Sequence, residues 1–304
     1  MCKAPTMNAT KEEKLPWLLT TWRSLYLSMP KFNFPGTNLD IAFTLFSAAF
    51  LIIARYSALW FFANILDYDA TSAQESSGTF GSITHSTLLC PALMVGFMTH
   101  KYSPSEHRNH APQWWVDFVD AMLQFCTGYM VYDAVFICFI RLEPGSWIPK
   151  IQPGDWLFLG HHACTTTYMT QNRVYKAGHM SAMLCMLLGE LTNPLHNSYM
   201  MSEIAMGLDK GNALVHYLIE TSFAISYFAM RVVIAPVFFL HCSIDLLFSK
   251  NAKANLPLAV RCFWVLLIWS VEVGSISWIV RCYNIMQVNF GFAEEGAAVS
   301  QELQ

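Results

Sequence analysis

The sequence predicts an all-α integral membrane protein, folded as a helical bundle or barrel of six or seven transmembrane helices. Two observations carry this prediction. Apolar residues make up 54% of the 304 residues and charged residues only 13%, whereas about 25% of a soluble domain is charged. Several apolar runs are also long enough to cross about 30 Å of hydrocarbon, which takes roughly 20 residues.

Seven segments are candidate spans. The short, polar run that contains His161 and His162 is the weakest of them, and if it does not cross the membrane the number is six. A polar turn at Gln171–Arg173 is predicted to separate the fourth span from the fifth. The candidates are Ile41–Leu66, Phe80–Met98, Asp117–Ile140, Trp156–Thr170, Gly178–Met200, Ala213–His241 and Leu258–Tyr283.

The distribution of positive charge predicts the orientation. With seven spans, twelve of the 18 lysines and arginines lie on the N-terminal side and four on the other side, which predicts a cytosolic N-terminus. The acidic stretch Asp67–Thr79 is then a lumenal loop. Residues 1–38 form a cytosolic tail, 39–285 the membrane domain and 286–304 a disordered tail.

The N-terminal tail contains an apolar stripe at helical spacing. It suits either a helix lying in the membrane interface or a partly ordered tail, and both alternatives stay open. The stripe consists of Leu15, Leu18, Trp22, Leu25 and Met29.

Many ionisable residues fall inside the apolar segments. Each costs on the order of 2.5–3.5 kcal/mol at the centre of a bilayer, so they are expected to converge on a protein interior. Arg55 is expected either to pair with a carboxylate or to serve that interior, whereas Glu220 and Glu272 lie near span ends and are expected to snorkel or pair locally. The full set is Arg55, His85, Asp133, His161, His162, Glu190, Glu220, Arg231 and Glu272.

The spacing of these residues indicates shared helix faces. Tyr129 and Asp133 lie four residues apart, which places a phenol and a carboxylate on one face. The adjacent His161 and His162 point about 100° apart on a helix, so one can enter a cavity while the other holds it in place. Glu190 precedes Thr192-Asn193-Pro194, which predicts a helix break that frees backbone carbonyls towards the interior.

The run His161-His162-Ala163-Cys164-Thr165 resembles the TLC-domain family, which includes ceramide synthases and translocation-associated membrane proteins. Four further landmarks occur in the family's order, and together the resemblance covers about residues 40–285. They are Ser82-Ile83-Thr84-His85, Gly128-Tyr129-Met130-Val131-Tyr132-Asp133, Gly189-Glu190-Leu191-Thr192-Asn193-Pro194, and Arg231 with Pro236.

The resemblance implies a helical membrane barrel with a polar interior open to lipid, usually in the endoplasmic reticulum. Ceramide synthases carry a second histidine–aspartate pair after the HHxxT motif, but the corresponding stretch Leu188–Thr192 has neither residue. This departure favours lipid binding or membrane lipid homeostasis over N-acylation of sphingoid bases. The Gly189–Pro194 run is more similar to uncharacterised TLC-domain-containing proteins.

Two functions therefore compete: a lipid-binding or homeostasis protein, and an acyltransferase that uses acyl-CoA as co-substrate. A cargo or translocon-associated protein is a weaker third hypothesis, since such a protein would be expected to carry a cytosolic sorting tail. The expected partners are membrane lipids or acyl chains. The net charge of −3 argues against nucleic acid. Nine scattered cysteines without a CxxC pair predict neither disulfides nor a metal site, and no cofactor is expected.

In the acyltransferase interpretation, a histidine is the general base and a carboxylate orients it. The predicted catalytic residues are His161, His162, Asp133 and Glu190, and the predicted lipid- or substrate-binding residues are His85, Tyr129, Arg231 and Asn193.

Overall fold

The computed structural model describes residues 15–99, 104–139, 151 and 155–292, and within these ranges the chain forms helices and no sheet. The first six α-helices are α1 Trp17–Ser28, α2 Ala42–Asn64, α3 Ala70–Thr99, α4 Gln113–Phe139, α5 Asp155–Tyr175 and α6 His179–Glu190. The other six are α7 Asn193–Gly207, α8 Ala213–Phe228, α9 Ala235–Phe248, α10 Lys250–Asn255, α11 Leu258–Gly274 and α12 Ile276–Asn289. A 3-10 turn covers Arg108–His110, and a π-helix, Ala229–Ile234, joins α8 to α9.

Four helical stretches among the described residues are long and apolar enough to cross a membrane, which supports the prediction of a helical membrane protein. They are Ala42–Asn64, Ala70–Thr99, Ala213–Phe248 and Leu258–Asn289. The third stretch combines α8, the π-helix and α9, and the fourth combines α11 and α12. Ser275 separates the helices of the fourth stretch.

The N-terminal tail forms a helix that packs on the domain. Leu19 and Trp22 of α1 are buried, and the Trp22 ring meets Phe125 edge to face with centroids 4.9 Å apart. Arg23 Nε lies 2.8 Å from Asp117 Oδ2 on α4. Of the predicted stripe, Leu18, Trp22 and Met29 pack against the domain, whereas Leu25 is exposed.

The acidic stretch Asp67–Thr79 was predicted as a loop, and for most of its length this is wrong. Helix α3 begins at Ala70, because the Asp69 carboxylate accepts hydrogen bonds from the backbone N–H groups of Thr71 and Ser72 at 2.9 and 3.0 Å. Such a cap satisfies donors that a helix start otherwise leaves unpaired. In the first turns of α3, the small residues Ala73, Ser76 and Ser77 are buried.

The polar turn predicted at Gln171–Arg173 is also wrong, because these residues continue α5. The chain turns after Tyr175, where Lys176 and Gly178 have φ of 55° and 74°. Asn172 and Arg173 are buried, and the Arg173 guanidinium bonds the Asp40 carbonyl. The polar run Gln171–Arg173 is therefore the packed last turn of α5 and not a loop.

Small residues allow the central helices to approach closely. A Cβ built on Gly128 of α4 would lie 2.6 Å from the Thr44 carbonyl oxygen of α2, so only glycine fits there. The predicted break after Glu190 is confirmed, since α6 ends at that residue and α7 starts at Asn193. These features place the polar residues of several helices around one interior space.

Candidate functional site

The helices enclose a chamber of about 810 Å³, a size within the usual range of about 300–1,000 Å³ for small-molecule sites. Its wall is formed by α2 to α8, the π-helix, α11 and α12. Seven of the eight predicted site residues line it: Tyr129, Asp133, His161, His162, Glu190, Asn193 and Arg231.

His162 is held by a carboxylate. Its Nε2 lies 2.8 Å from Asp133 Oδ2, which joins α5 to α4. The other ring nitrogen, Nδ1, is buried. The Asp133 carboxylate therefore fixes the ring orientation of His162, which is the second half of a base–orienter arrangement.

His161 faces the open space. It lines the chamber and also a second, smaller pocket of about 50 Å³ that adjoins it. The two imidazole centroids are 5.6 Å apart with an angle of 59° between the rings. Of the adjacent histidines, His161 is thus the one placed to meet a ligand, while His162 is anchored to its carboxylate.

Glu190 is the centre of a buried hydrogen-bond cluster at the end of α6. Its Oε2 accepts hydrogen bonds from Ser86 Oγ at 3.0 Å and from Asn193 Nδ2 at 2.7 Å. The helix break supplies this arrangement, because Pro194 has no N–H with which to continue α6. Glu190 is therefore held by both helices that meet at the break.

His85 lies behind Glu190 and is absent from the chamber lining. It is fully buried and stacks on Tyr129 with ring centroids 4.0 Å apart. Its Nδ1 is 3.5 Å from Glu190 Oε2. This position suits a residue that fixes the carboxylate, and contact with a ligand in the chamber would require a rearrangement.

Arg231 enters the chamber from the π-helix. Widened π segments often occur at functional sites, and here the segment directly precedes Pro236 on the same helical stretch. The guanidinium donates to the Gly189 carbonyl at 2.9 Å, and its Nη1 lies 3.7 Å from Glu272 Oε2. The expectation that Glu272 pairs locally or snorkels is thus wrong, because its partner is on another helix.

A polar ridge across the chamber was only partly anticipated. Tyr129 Oη and Asn197 Nδ2 each donate to Ser82 Oγ at 3.0 Å. Asn197 was not predicted as a site residue, although it follows Asn193 by one helical turn. The four-residue spacing of Asn193 and Asn197 across the start of α7 could have identified Asn197 from the sequence.

The smaller pocket is apolar and rich in sulfur. It shares His161, Glu190 and Arg231 with the chamber, so polar and apolar spaces meet at these three side chains. The apolar lining consists of Cys126, Met130, Cys164, Met169, Ala182, Cys185, Met186, Phe239, Leu267, Ile268 and Val271, with Tyr168 beside them. Methionine side chains adapt to irregular apolar ligands.

Within the described part of the chain, no group of three or more histidine, cysteine, aspartate or glutamate residues is arranged to hold a metal ion. The interactions of this interior are hydrogen bonds and ion pairs. Its arrangement can orient a histidine, hold a polar group and present an apolar surface beside it.

Comparison with known families identifies the family of the chain. The model of the TLC domain, which unites TRAM, LAG1 and CLN8, matches residues 75–284, more than half of the chain. This chain belongs to the TLC-domain family. The match spans the helices from α3 to α12 and so includes nearly the whole chamber wall. No curated protein and no solved structure gives a significant match.

Proposed function

We propose that this TLC-domain protein binds a membrane lipid in its chamber and acts in membrane lipid homeostasis. One observation carries the proposal: His161, Glu190 and Arg231 stand where a polar chamber meets an apolar pocket. A lipid has the same division into a polar head and an apolar chain. Family membership supports a lipid-related role.

Lipid binding explains why the protein keeps polar side chains that are costly to insert into a membrane. Packing of membrane helices is served well by glycine, alanine, serine and threonine, whereas histidines and carboxylates at membrane depth carry an insertion penalty. His162, Glu190 and Arg231 are each held by a partner from another helix or helix end. Such preorganisation suits recognition of a polar group.

The number of membrane spans and their orientation are part of the same proposal. In addition to the four apolar stretches, α4, α5 and the broken pair α6–α7 complete a seven-span barrel with a cytosolic N-terminus. We place the protein in the endoplasmic reticulum or another endomembrane, as the family resemblance implies. The chamber then lies towards the lumenal half, where α2 and α4 end and α3 and α5 begin.

Lipid retention by the purified protein tests the proposal. The full-length chain is purified in a mild detergent, and the retained lipid is extracted and identified by mass spectrometry. We expect one lipid class to be enriched over the surrounding membrane. His161→Ala is expected to lower its retention by about tenfold, the loss of one or two good hydrogen bonds.

His241→Ala is the matched control. His241 is an exposed histidine of α9 and does not line the chamber, so its replacement should leave retention unchanged. A wild-type lipid profile that equals the bulk membrane, or equal retention in His161→Ala and wild type, would contradict lipid binding at this site.

The geometry also favours a second candidate, an acyl-CoA-dependent N-acyltransferase. The 2.8 Å contact between His162 and Asp133 is the orienting half of a general-base arrangement. His161, which faces the open space beside the anchored His162, would take the proton of the attacking amine as the N–C bond forms and the thioester C–S bond breaks. The coenzyme A thiolate would leave and be protonated.

Turnover separates the two candidates. Release of free coenzyme A thiol is measured for the wild type with a panel of amine-bearing lipids. Thiol release that is abolished in both His161→Ala and His162→Ala, with folded protein remaining, would establish the transferase. Lipid retention without any thiol release would leave the binding function.

A further inference from the structure

Arg55 is a charged residue of the chamber wall that the function proposed above does not use. It lies on α2 and lines the chamber. Its guanidinium carbon is 4.3 Å from the centroid of the Phe136 ring. On the side of α3, a Cβ added to Gly78 would lie 3.0 Å from Nη1. An aromatic face and a glycine thus hold the guanidinium at the wall.

Arg55 does not form the ion pair with a carboxylate that was one of its two predicted roles. Among the described residues, no carboxylate lies within 4.0 Å of its guanidinium nitrogens. Its polar contacts among the described residues are neutral ones, a long hydrogen bond of 3.5 Å to the Gln74 carbonyl and the phenol of Tyr132. Arg231, the other arginine of the chamber, has Glu272 and a carbonyl as partners.

The carboxylates nearest to the predicted site are already engaged. Asp133 holds His162, and Glu190 accepts from Ser86 and Asn193. Three further carboxylates line the chamber. Glu203 pairs with Arg281 at 2.8 Å, Asp155 is buried at the start of α5, and Glu75 is exposed near the start of α3. The wall beside Arg55 is consequently the part of the chamber suited to an anion.

The position of Arg55 indicates which kind of anion fits. Phe136 and Asp133 are three residues apart on α4 and are neighbours on its surface. The guanidinium over Phe136 therefore lies roughly three residues along the helix axis, about 4.5 Å, from the height of the Asp133–His162 pair. In a glycerophospholipid, only glycerol carbons separate the phosphate from the acyl ester.

We propose that the chamber recognises a phosphate-bearing lipid and that Arg55 holds the phosphate. The planar guanidinium matches the oxygens of a phosphate in a fork of two hydrogen bonds. The ester or amide of the lipid then lies beside His161 and His162, and the chain runs towards the apolar pocket. This inference rests on the proposed function, since it names the head group of the lipid bound there.

The same phosphate chemistry is offered by a phospholipid head group and by acyl-CoA, and the experiment separates these sources. Dissociation constants are measured for purified full-length protein in phospholipid-free detergent. The probes are three compounds with the same oleoyl chain: lysophosphatidylethanolamine, monooleoylglycerol without phosphate, and oleoyl-CoA. The variants are Arg55→Gln, Arg55→Lys and a control, Lys253→Gln, which removes an exposed cation outside the chamber.

The wild type is expected to bind lysophosphatidylethanolamine about tenfold or more tightly than monooleoylglycerol. Arg55→Gln should abolish this preference, and Arg55→Lys should retain part of it because the charge remains but the fork is lost. Lys253→Gln should match the wild type. If Arg55→Gln does not yield a monodisperse protein, the weakened preference in Arg55→Lys decides the question.

Two results would overturn the proposal. One is wild-type binding of monooleoylglycerol as tight as that of the lysophospholipid, which would leave lipid binding intact but remove the phosphate site. The other is an unchanged preference in both Arg55 variants. Arg55-dependent binding of oleoyl-CoA alone supports the phosphate site and assigns it to the acyl carrier. Absence of binding by all three probes would refute this inference together with the proposed function.

Discussion

The contact between Asp133 and His162 gives the sharpest expectation for stability. Its length is 2.8 Å, and the two side chains are 20% and 6% exposed. A hydrogen bond to a charged group contributes about 1.5–3 kcal/mol, and the buried Nδ1 of His162 has no hydrogen-bond partner among the described residues. Asp133→Ala should therefore lower the free energy of unfolding by roughly that amount.

Asp133→Asn separates the charge from the hydrogen bond. The amide keeps an oxygen at the same distance from His162 Nε2, and a neutral hydrogen bond contributes roughly 0.5–1.5 kcal/mol. The loss should thus be about 1 kcal/mol. Since 1 kcal/mol shifts Tm by roughly 2–4 °C in domains of this general size, the alanine variant should unfold roughly 3–12 °C below the wild type.

Thermal unfolding of the purified protein in detergent measures these shifts, and Asp67→Asn is the control. Asp67 is fully exposed, and its ion pair with Lys210 spans 4.0 Å, a surface contact that contributes little to stability. Its φ of 53° is a conformation that asparagine also tolerates, so no shift is expected. A double-mutant cycle with His162→Ala isolates the pair. Additive effects of Asp133→Ala and His162→Ala would refute the interaction, as would an unchanged Tm in Asp133→Ala.

Three further predictions concern packing, orientation and pH. Gly128→Ala should destabilise the protein by about 1–3 kcal/mol, because its Cβ would meet the Thr44 carbonyl at 2.6 Å, whereas Gly160→Ala meets nothing within 4 Å and should be tolerated in thermal unfolding. Asn8, in the glycosylation pattern Asn-Ala-Thr, should carry no glycan in a eukaryotic membrane; a glycan detected by glycosidase shift would invert the orientation. Burial lowers the pKa of His107 below its usual 6.5, so the folded state resists protonation and stability should fall as pH drops below about 6.5. His107→Gln should reduce that fall, and an identical pH profile would contradict it.

Much of the fold follows from the sequence because hydrocarbon imposes a simple length rule. The span predicted at Ile41–Leu66 corresponds to α2, Ala42–Asn64, and the break after Glu190 is where proline chemistry places it. The errors occur where polar residues continue a helix. Residues 70–79 and Gln171–Arg173 are polar, yet both are helical. The hydroxyls of the first segment bond within their own helix start, whereas Gln171 and Arg173 find partners on other segments.

The candidate site was predicted as a set of residues, but not as an arrangement. Insertion cost identifies which side chains must avoid lipid, and seven of the eight line one chamber. Insertion cost does not predict which of these side chains contact each other. His85 stacks behind Glu190 on the Tyr129 ring, and Glu272 reaches Arg231 from another helix. Both facts depend on helix rotation, which no single segment encodes.

The sequence by itself determined that this protein is a helical membrane protein of the TLC type with a polar interior, because composition, span length and motif order are properties of the chain. Tertiary structure alone decided that His162 binds Asp133, that a π-helix turns Arg231 inwards and that Arg55 faces the chamber. These outcomes depend on how the helices are rotated and how closely they pack. The physical reason is that pairing across helices is fixed by contacts between residues distant in the chain, such as Gly128 against Thr44.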